Sequence, residues 1–153
     1  MSLELLQDLM AKAEGRCTYA EARHVHERSE HTSVLNGDVE DVSAEKSENI
    51  GVRVRIGGAW DFAATREVSA AGAEAALTRA LAIAEAQPSA PATPLASAGE
   101  PARGHWEGPC AQDPFAVSLD DRLAHLFAAE KPMRGDERIV RTEANCTAIR
   151  TTG

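Results

Sequence analysis

Apolar residues at Leu3, Leu6, Met10 and Ala13, with Leu5 and Leu9 beside them, recur at the spacing of one helix face, and Gly15 is placed to cap the C-terminal end. Past Cys17 the pattern turns to alternation. Residues 17–28 read as a strand, and residues 30–35 and 38–47 as a hairpin around Asn36-Gly37, a strong two-residue turn signal. A second hairpin follows in Gly51–Thr65, where Val52, Val54 and Ile56 alternate with Arg53 and Arg55 up to Gly57-Gly58. A two-residue turn there sets Ile56 opposite Ala59, Arg55 opposite Trp60 and Arg53 opposite Phe62. Val52, Val54 and Ile56 then form a core face. The other face sets two arginines beside two aromatics within cation–π reach, an arrangement that is commonly structural but can also grip a partner. Asp61 falls on the valine face, where a carboxylate must find a donor or reach water.

Ser69 is placed to cap a helix running to about Ala86, whose line Ala73, Leu77, Ala80 and Ala84 is mostly small and lets the helix lie close to a sheet. Pro88, Pro91, Pro94 and Pro101 then interrupt an Ala/Ser/Gly stretch, so residues 88–103 read as a connector. Ser118 caps a third helix with Asp121 at the capping-box position and Leu119, Leu123, Leu126 and Phe127 on its apolar face, and Pro132 ends it. Residues 137–151 alternate as a long strand. The predicted fold class is α+β: an antiparallel sheet of hairpins with helices packed on one face, in the order helix, about four strands, helix, Pro-rich connector, helix, long strand. Residues 1–87 form the main core, 88–103 the connector, and 104–153 a completing helix and strand.

At 153 residues the chain is one domain or a domain with an appendage, long enough to bury roughly 68–70% of its unfolded surface. Aromatics are only 4% and much of the apolar content is alanine, so the expected core is thin and tightly layered. A formal net charge of −8 argues against nucleic acid as a partner, because phosphate contacts need clustered Lys and Arg. Three cysteines with no CxxC pair, no secretory segment and no apolar run of membrane-spanning length give the expectation of a cytoplasmic protein with free thiols and no membrane partner.

Five short motifs occur in an order that resembles the N-terminal part of the TldD/PmbA family, proteins named as modulators of DNA gyrase and regarded as zinc-dependent peptidases and their paralogous partners. They are Tyr19-Ala20-Glu21-Ala22-Arg23, Asn36-Gly37-Asp38-Val39-Glu40, Gly51-Val52-Arg53-Val54 with Gly58-Ala59-Trp60-Asp61-Phe62-Ala63-Ala64-Thr65, the Ala-rich stretch to Ala86, and Asp113-Pro114-Phe115-Ala116-Val117-Ser118. Asp61 stands where the family pattern has glycine. Family members run to several hundred residues, so the resemblance implies an N-terminal domain without the C-terminal catalytic domain, in wording closer to TldD than to PmbA.

His26-Glu27-Arg28-Ser29-Glu30-His31 matches by letters the His-Glu-x-x-x-His motif with which TldD-type members are thought to hold zinc, but that motif belongs to a later helix of the family. In a strand the odd spacing puts the two histidines on opposite faces, and on a helix they stand about 140° apart. His24 and His26 share a strand face and could supply two ligands, but a zinc site needs a third and a fourth. His24, His26 and His31 are therefore the candidate metal ligands, and the reading assigns them no metal. No nucleophile sits beside a base, the run Glu40, Asp41, Glu45 and Glu48 reads as a solvated strand, and Gly57-Gly58 lacks the Lys-Ser/Thr of a phosphate loop. No catalytic residue is assigned.

The resemblance implies a non-catalytic N-terminal domain of a TldD/PmbA-like metallopeptidase that processes unfolded peptides. Zinc is implied for the full-length TldD-type parent and no cofactor for this segment. Its expected work is to shape the substrate cleft and a dimer interface with itself or a paralogous subunit, using Arg53, Arg55, Trp60 and Phe62 as the partner or cleft surface. The alternative is a peptide-binding or assembly module of the PmbA type without catalysis. The segment alone is expected to be inactive, and an open sheet edge is expected to favour self-association.

Overall fold

The Gly57-Gly58 turn closes as the alternation requires. Both glycines have positive φ, 54° and 91°, the condition for a tight turn joining twisted antiparallel strands. The register pairs Ile56 with Ala59, Arg55 with Trp60, Val54 with Asp61 and Arg53 with Phe62. The computed structural model describes residues 3–87, 91, 93–96 and 102–153. The helices and strands are α1 (Leu3–Ala11), β1 (Tyr19–Leu35), β2 (Asp38–Ile56), β3 (Ala59–Thr65), α2 (Ala70–Ala86), α3 (Leu119–Glu130) and β4 (Glu143–Thr152), with 3₁₀ turns at Pro114–Ala116 and Lys131–Arg134. The four strands form an open antiparallel sheet in the order β3-β2-β1-β4, with β3 and β4 at its edges. The fold is α+β.

The strand boundaries differ from the sequence reading. Two unbroken strands replace the pieces expected on either side of Ser29 and near Glu48. Their polar middles read as breaks, but a strand needs only main-chain partners and tolerates polar side chains where water reaches them. β4 starts at Glu143 instead of residue 137, because Asp136 folds the preceding chain into a turn. Its carboxylate accepts from the Arg138 backbone N–H at 2.9 Å, and its carbonyl accepts from the Ile139 N–H at 3.0 Å. The residues of the expected connector that are described, 91, 93–96, 102 and 103, lie in neither helix nor strand, and the rest of it falls outside the described residues.

The chain divides into two compact units. The first comprises Met1–His26, Ser47–Ala102 and Thr152–Gly153. Its core joins Ile50, Val52, Val54 and Ala63 of the sheet to Ala73, Ala76, Leu77, Ala80, Leu81 and Ala84 of α2 and to Leu9 and Ala13 near α1. Ser69 caps α2 by accepting from the Gly72 N–H at 3.0 Å. Leu3, expected on the apolar stripe of α1, is exposed, and Leu9 is the residue of that helix that is buried. Ala80 is fully buried, so Ala80→Phe is expected to overpack the helix–sheet layer and lower the unfolding free energy by about 1–3 kcal/mol in a urea titration.

The second unit comprises Glu27–Lys46 and Arg103–Thr151. Asn36 (φ 50°) and Gly37 (φ 89°) make its hairpin turn, and the Asn36 side chain accepts from the Thr142 N–H at 2.8 Å. Ser118 caps α3 through the Asp121 N–H, Leu126 is its buried apolar residue, and Leu119 is exposed. Glu130 is wholly buried at the end of α3, where Thr142 donates to it and Arg134 lies 2.9 Å away. Phe115 sits under two guanidiniums, Arg28 at 4.5 Å and Arg150 at 4.9 Å, while Asp113 pairs with Arg150 at 2.7 Å and Glu30 with Arg28 and Arg122. The Arg150 hydrogen bond and the Phe115 N–H hold the Asp113 carboxyl below its usual range.

Candidate functional site

The first unit turns one face of its sheet toward α1 and α2. On the other face β2 presents Arg53 and Arg55, and β3 presents Trp60 and Phe62. Both arginines converge on one ring: the guanidinium carbons of Arg53 and Arg55 lie 5.5 and 5.4 Å from the Trp60 centroid. The Arg55–Trp60 pair is the one the register predicts. Arg53 reaches diagonally to Trp60, and Phe62 instead covers the backbone of Gly51, where a Cβ would stand 2.8 Å from the ring. Glycine at 51 is thus what lets Phe62 lie flat on the sheet. Trp60 and Phe62 remain 41% and 59% exposed, so each offers an aromatic surface to a partner.

β1 completes the face with two residues that sequence reasoning quoted only as part of a motif. Glu21 accepts from Arg53 at 2.5 Å and from the Tyr19 hydroxyl at 2.7 Å, and Tyr19 meets the Trp60 ring edge-on with centroids 5.4 Å apart. Arg23 lies 3.4 Å from the same carboxylate. The signal that could have found them was the Tyr-Ala-Glu-Ala-Arg alternation, with small residues toward the helices and large polar ones away. Burial pushes the Glu21 carboxyl up, but the bonds from Tyr19 and Arg53 and the charge of Arg23 outweigh it and leave the group below its ordinary value. The bond to Glu21, then burial, raises the Tyr19 phenol.

A depressed carboxylate contributes stability that is complete above its unfolded pKa and is lost as pH falls through the folded one. The Glu21 network should therefore support the fold at neutral pH and release Arg53 only in acid, below the ordinary carboxylate range. The difference in urea midpoint between the native chain and Glu21→Gln is expected to stay constant from pH 7 to pH 6 and to shrink on acidification below that range.

Arg55 is 6% exposed. Its Nη2 donates to the Thr93 carbonyl at 2.6 Å, and its Nε has no hydrogen-bond partner among the described residues. Asp61 stands opposite Val54 as the register requires, half-buried, with one carboxylate oxygen lacking a partner among the described residues. Its awkward position is real, and no donor in the described chain offsets it.

The three histidines each go a separate way. His24 pairs with Glu48 at 2.7 Å, His31 bonds the Thr147 hydroxyl at 2.9 Å, and His26 is exposed. All three lie in the continuous strand β1, so the five-residue step from His26 to His31 has no helical geometry to draw on. Among the described residues no three His, Cys, Asp or Glu side chains converge as a metal site would require. The zinc that the resemblance implies for a full-length parent thus does not fit these side chains. No helix among the described residues is long and apolar enough to cross a membrane.

Residues 20–84, which contain most of the β1–β3 face and of α2, match the family model described as PmbA/TldA metallopeptidase domain 1. Over residues 20–84 the chain has the pattern of the PmbA/TldD first domain. Solved structures share the fold across 97% of the chain. They include a protein from Bacteroides thetaiotaomicron named as a modulator of DNA gyrase (TM-score 0.71, 14% identity) and TldE from Thermococcus kodakarensis (0.65, 14%). A Thermotoga maritima protein named as a modulator of a DNA gyrase is also similar (0.54, 16%). The chain spans 34–35% of the length of those proteins. No curated protein matches it. Within the PmbA/TldD first domain the matched residues include every member of the Tyr19–Glu21–Arg53–Trp60 network except Tyr19, which directly precedes them.

Proposed function

We propose that this chain is the non-catalytic N-terminal part of a PmbA/TldD-type metallopeptidase acting on unfolded peptides, and that it walls the substrate cleft and contributes to the contact between subunits. The observation that carries this reading is the face built from Arg53, Arg55, Trp60 and Phe62. Its Trp60 ring is held in place by cation–π and edge contacts, Phe62 lies over Gly51, and both stay partly open to water. Ordered aromatic and arginine side chains are the residue types that dominate binding energy at interfaces, because they offer large contact area at low entropic cost. The edge strand β3 beside them adds main-chain donors and acceptors, which hold an extended peptide with little sequence preference. The partner is accordingly an unfolded peptide, a second copy or a paralogous subunit.

The similarity to a TldE gives the second reading, a partner subunit of the PmbA type, a specific support. The two readings differ in the zinc content of the full-length parent and agree on the work of this face. The test on the chain itself is direct. It should bind a reduced, carboxymethylated unfolded polypeptide, measured by fluorescence anisotropy, and leave that polypeptide intact by mass spectrometry after prolonged incubation. Hydrolysis abolished by His26→Ala or His31→Ala would contradict the assignment of a non-catalytic role.

A further inference from the structure

We propose that the cleft beside Arg53 recognises a carboxylate followed by an apolar side chain in an extended peptide; this rests on the peptide-binding reading above and names the feature of the peptide that is read. The cleft has a volume of about 420 Å³ and lies wholly on the face turned away from α1 and α2. Val25, Phe62 and Ala64 give it apolar walls, and Arg23, Arg53 and Glu21 line it beside them. It therefore combines apolar and charged walls, the two parts needed to hold an acidic side chain next to a Leu or Phe.

Charge decides the sign of the occupant. The whole chain carries a formal net charge of −8, yet this cleft sets Arg23 and Arg53 against the single carboxylate of Glu21. Such an imbalance in a partly desolvated cleft favours an incoming anion, since desolvated charges interact more strongly than exposed ones. Glu21 now occupies Arg53 in the way an external carboxylate would, with Arg23 also in reach. The planar guanidinium suits such a group through paired, charge-assisted hydrogen bonds. An incoming carboxylate shares Arg53 with Glu21 and takes up the excess positive charge that Glu21 alone leaves.

The experiment uses two labelled, unstructured peptides in a Gly/Ser background, one with an Asp-Leu step and one with Asn-Leu, titrated with the chain in low salt. The Asp-Leu peptide is expected to bind about fivefold more tightly, which corresponds to about 1 kcal/mol, and 0.5 M salt should erase most of the preference. Glu21→Gln removes the competing carboxylate, so the Asp-Leu peptide should bind more tightly to it than to the native chain. A gain seen with Asp-Leu and not with Asn-Leu separates this effect from misfolding, which would raise both alike. Arg53→Gln, with its fold checked by circular dichroism, should abolish the preference while keeping residual binding of both peptides. Equal binding of the two peptides, or weaker Asp-Leu binding by Glu21→Gln, overturns the carboxylate proposal and leaves the peptide-binding reading standing. Binding of neither peptide overturns both.

Discussion

Leu77→Ala is expected to lower the unfolding free energy by about 2–5 kcal/mol. Leu77 is 1% exposed and packs with Leu81 among four fully or nearly fully buried alanines. Alanine-rich cores contain few large side chains, so removing one deletes a large share of the apolar volume, and short neighbours cannot swing in to fill the space. The resulting fall in melting temperature should be roughly 4 °C or more for a chain of this size, followed by circular dichroism at 222 nm. Ile83→Ala, on the same helix but 43% exposed, serves as the control and should change stability by less than about 0.5 kcal/mol. Equal losses for the two substitutions would show that α2 does not pack through the face assigned to it.

Trp60→Ala should weaken binding of an unfolded polypeptide by about tenfold or more while leaving the fold in place. Three contacts depend on that ring: the two guanidiniums of Arg53 and Arg55, and the edge of Tyr19. Without it Arg55 loses the surface that shields its charge, and Arg53 keeps only Glu21. Phe62→Ala should have a smaller effect, because Phe62 covers Gly51 and, among the described residues, both Arg53 and Arg55 stack on Trp60 instead. Trp106→Ala provides the comparison: that indole is 83% exposed and lies in the second unit, so its removal should leave affinity unchanged. A loss for Trp106→Ala equal to that for Trp60→Ala would place the peptide elsewhere.

Local chemistry explains what the sequence made legible. Asn36-Gly37 and Gly57-Gly58 can adopt positive φ cheaply, so both turns and the register of the second hairpin follow from a few residues. Ser69 and Ser118 likewise mark helix starts through their own hydroxyls. The lengths of β1 and β2 were not legible, because their middle residues are polar and are held by main-chain pairing instead of burial. The same cause hid half of the candidate site. Arg53, Arg55, Trp60 and Phe62 come from one hairpin, whereas Glu21 lies 32 residues from Arg53, and its placement depends on how two long polar strands align. Alternation fixes the relative faces within a strand but not the alignment of two strands, and a one-residue slip would have turned Glu21 away.

An NMR titration of the chain with an unfolded polypeptide locates the binding face residue by residue. Amide shifts are expected to move in residues 19–25, 49–55 and 60–64, with the Trp60 indole among the largest changes, while the polypeptide stays uncleaved. Shifts confined to the helices or to the second unit, or no shifts at saturating polypeptide, would contradict binding at this face.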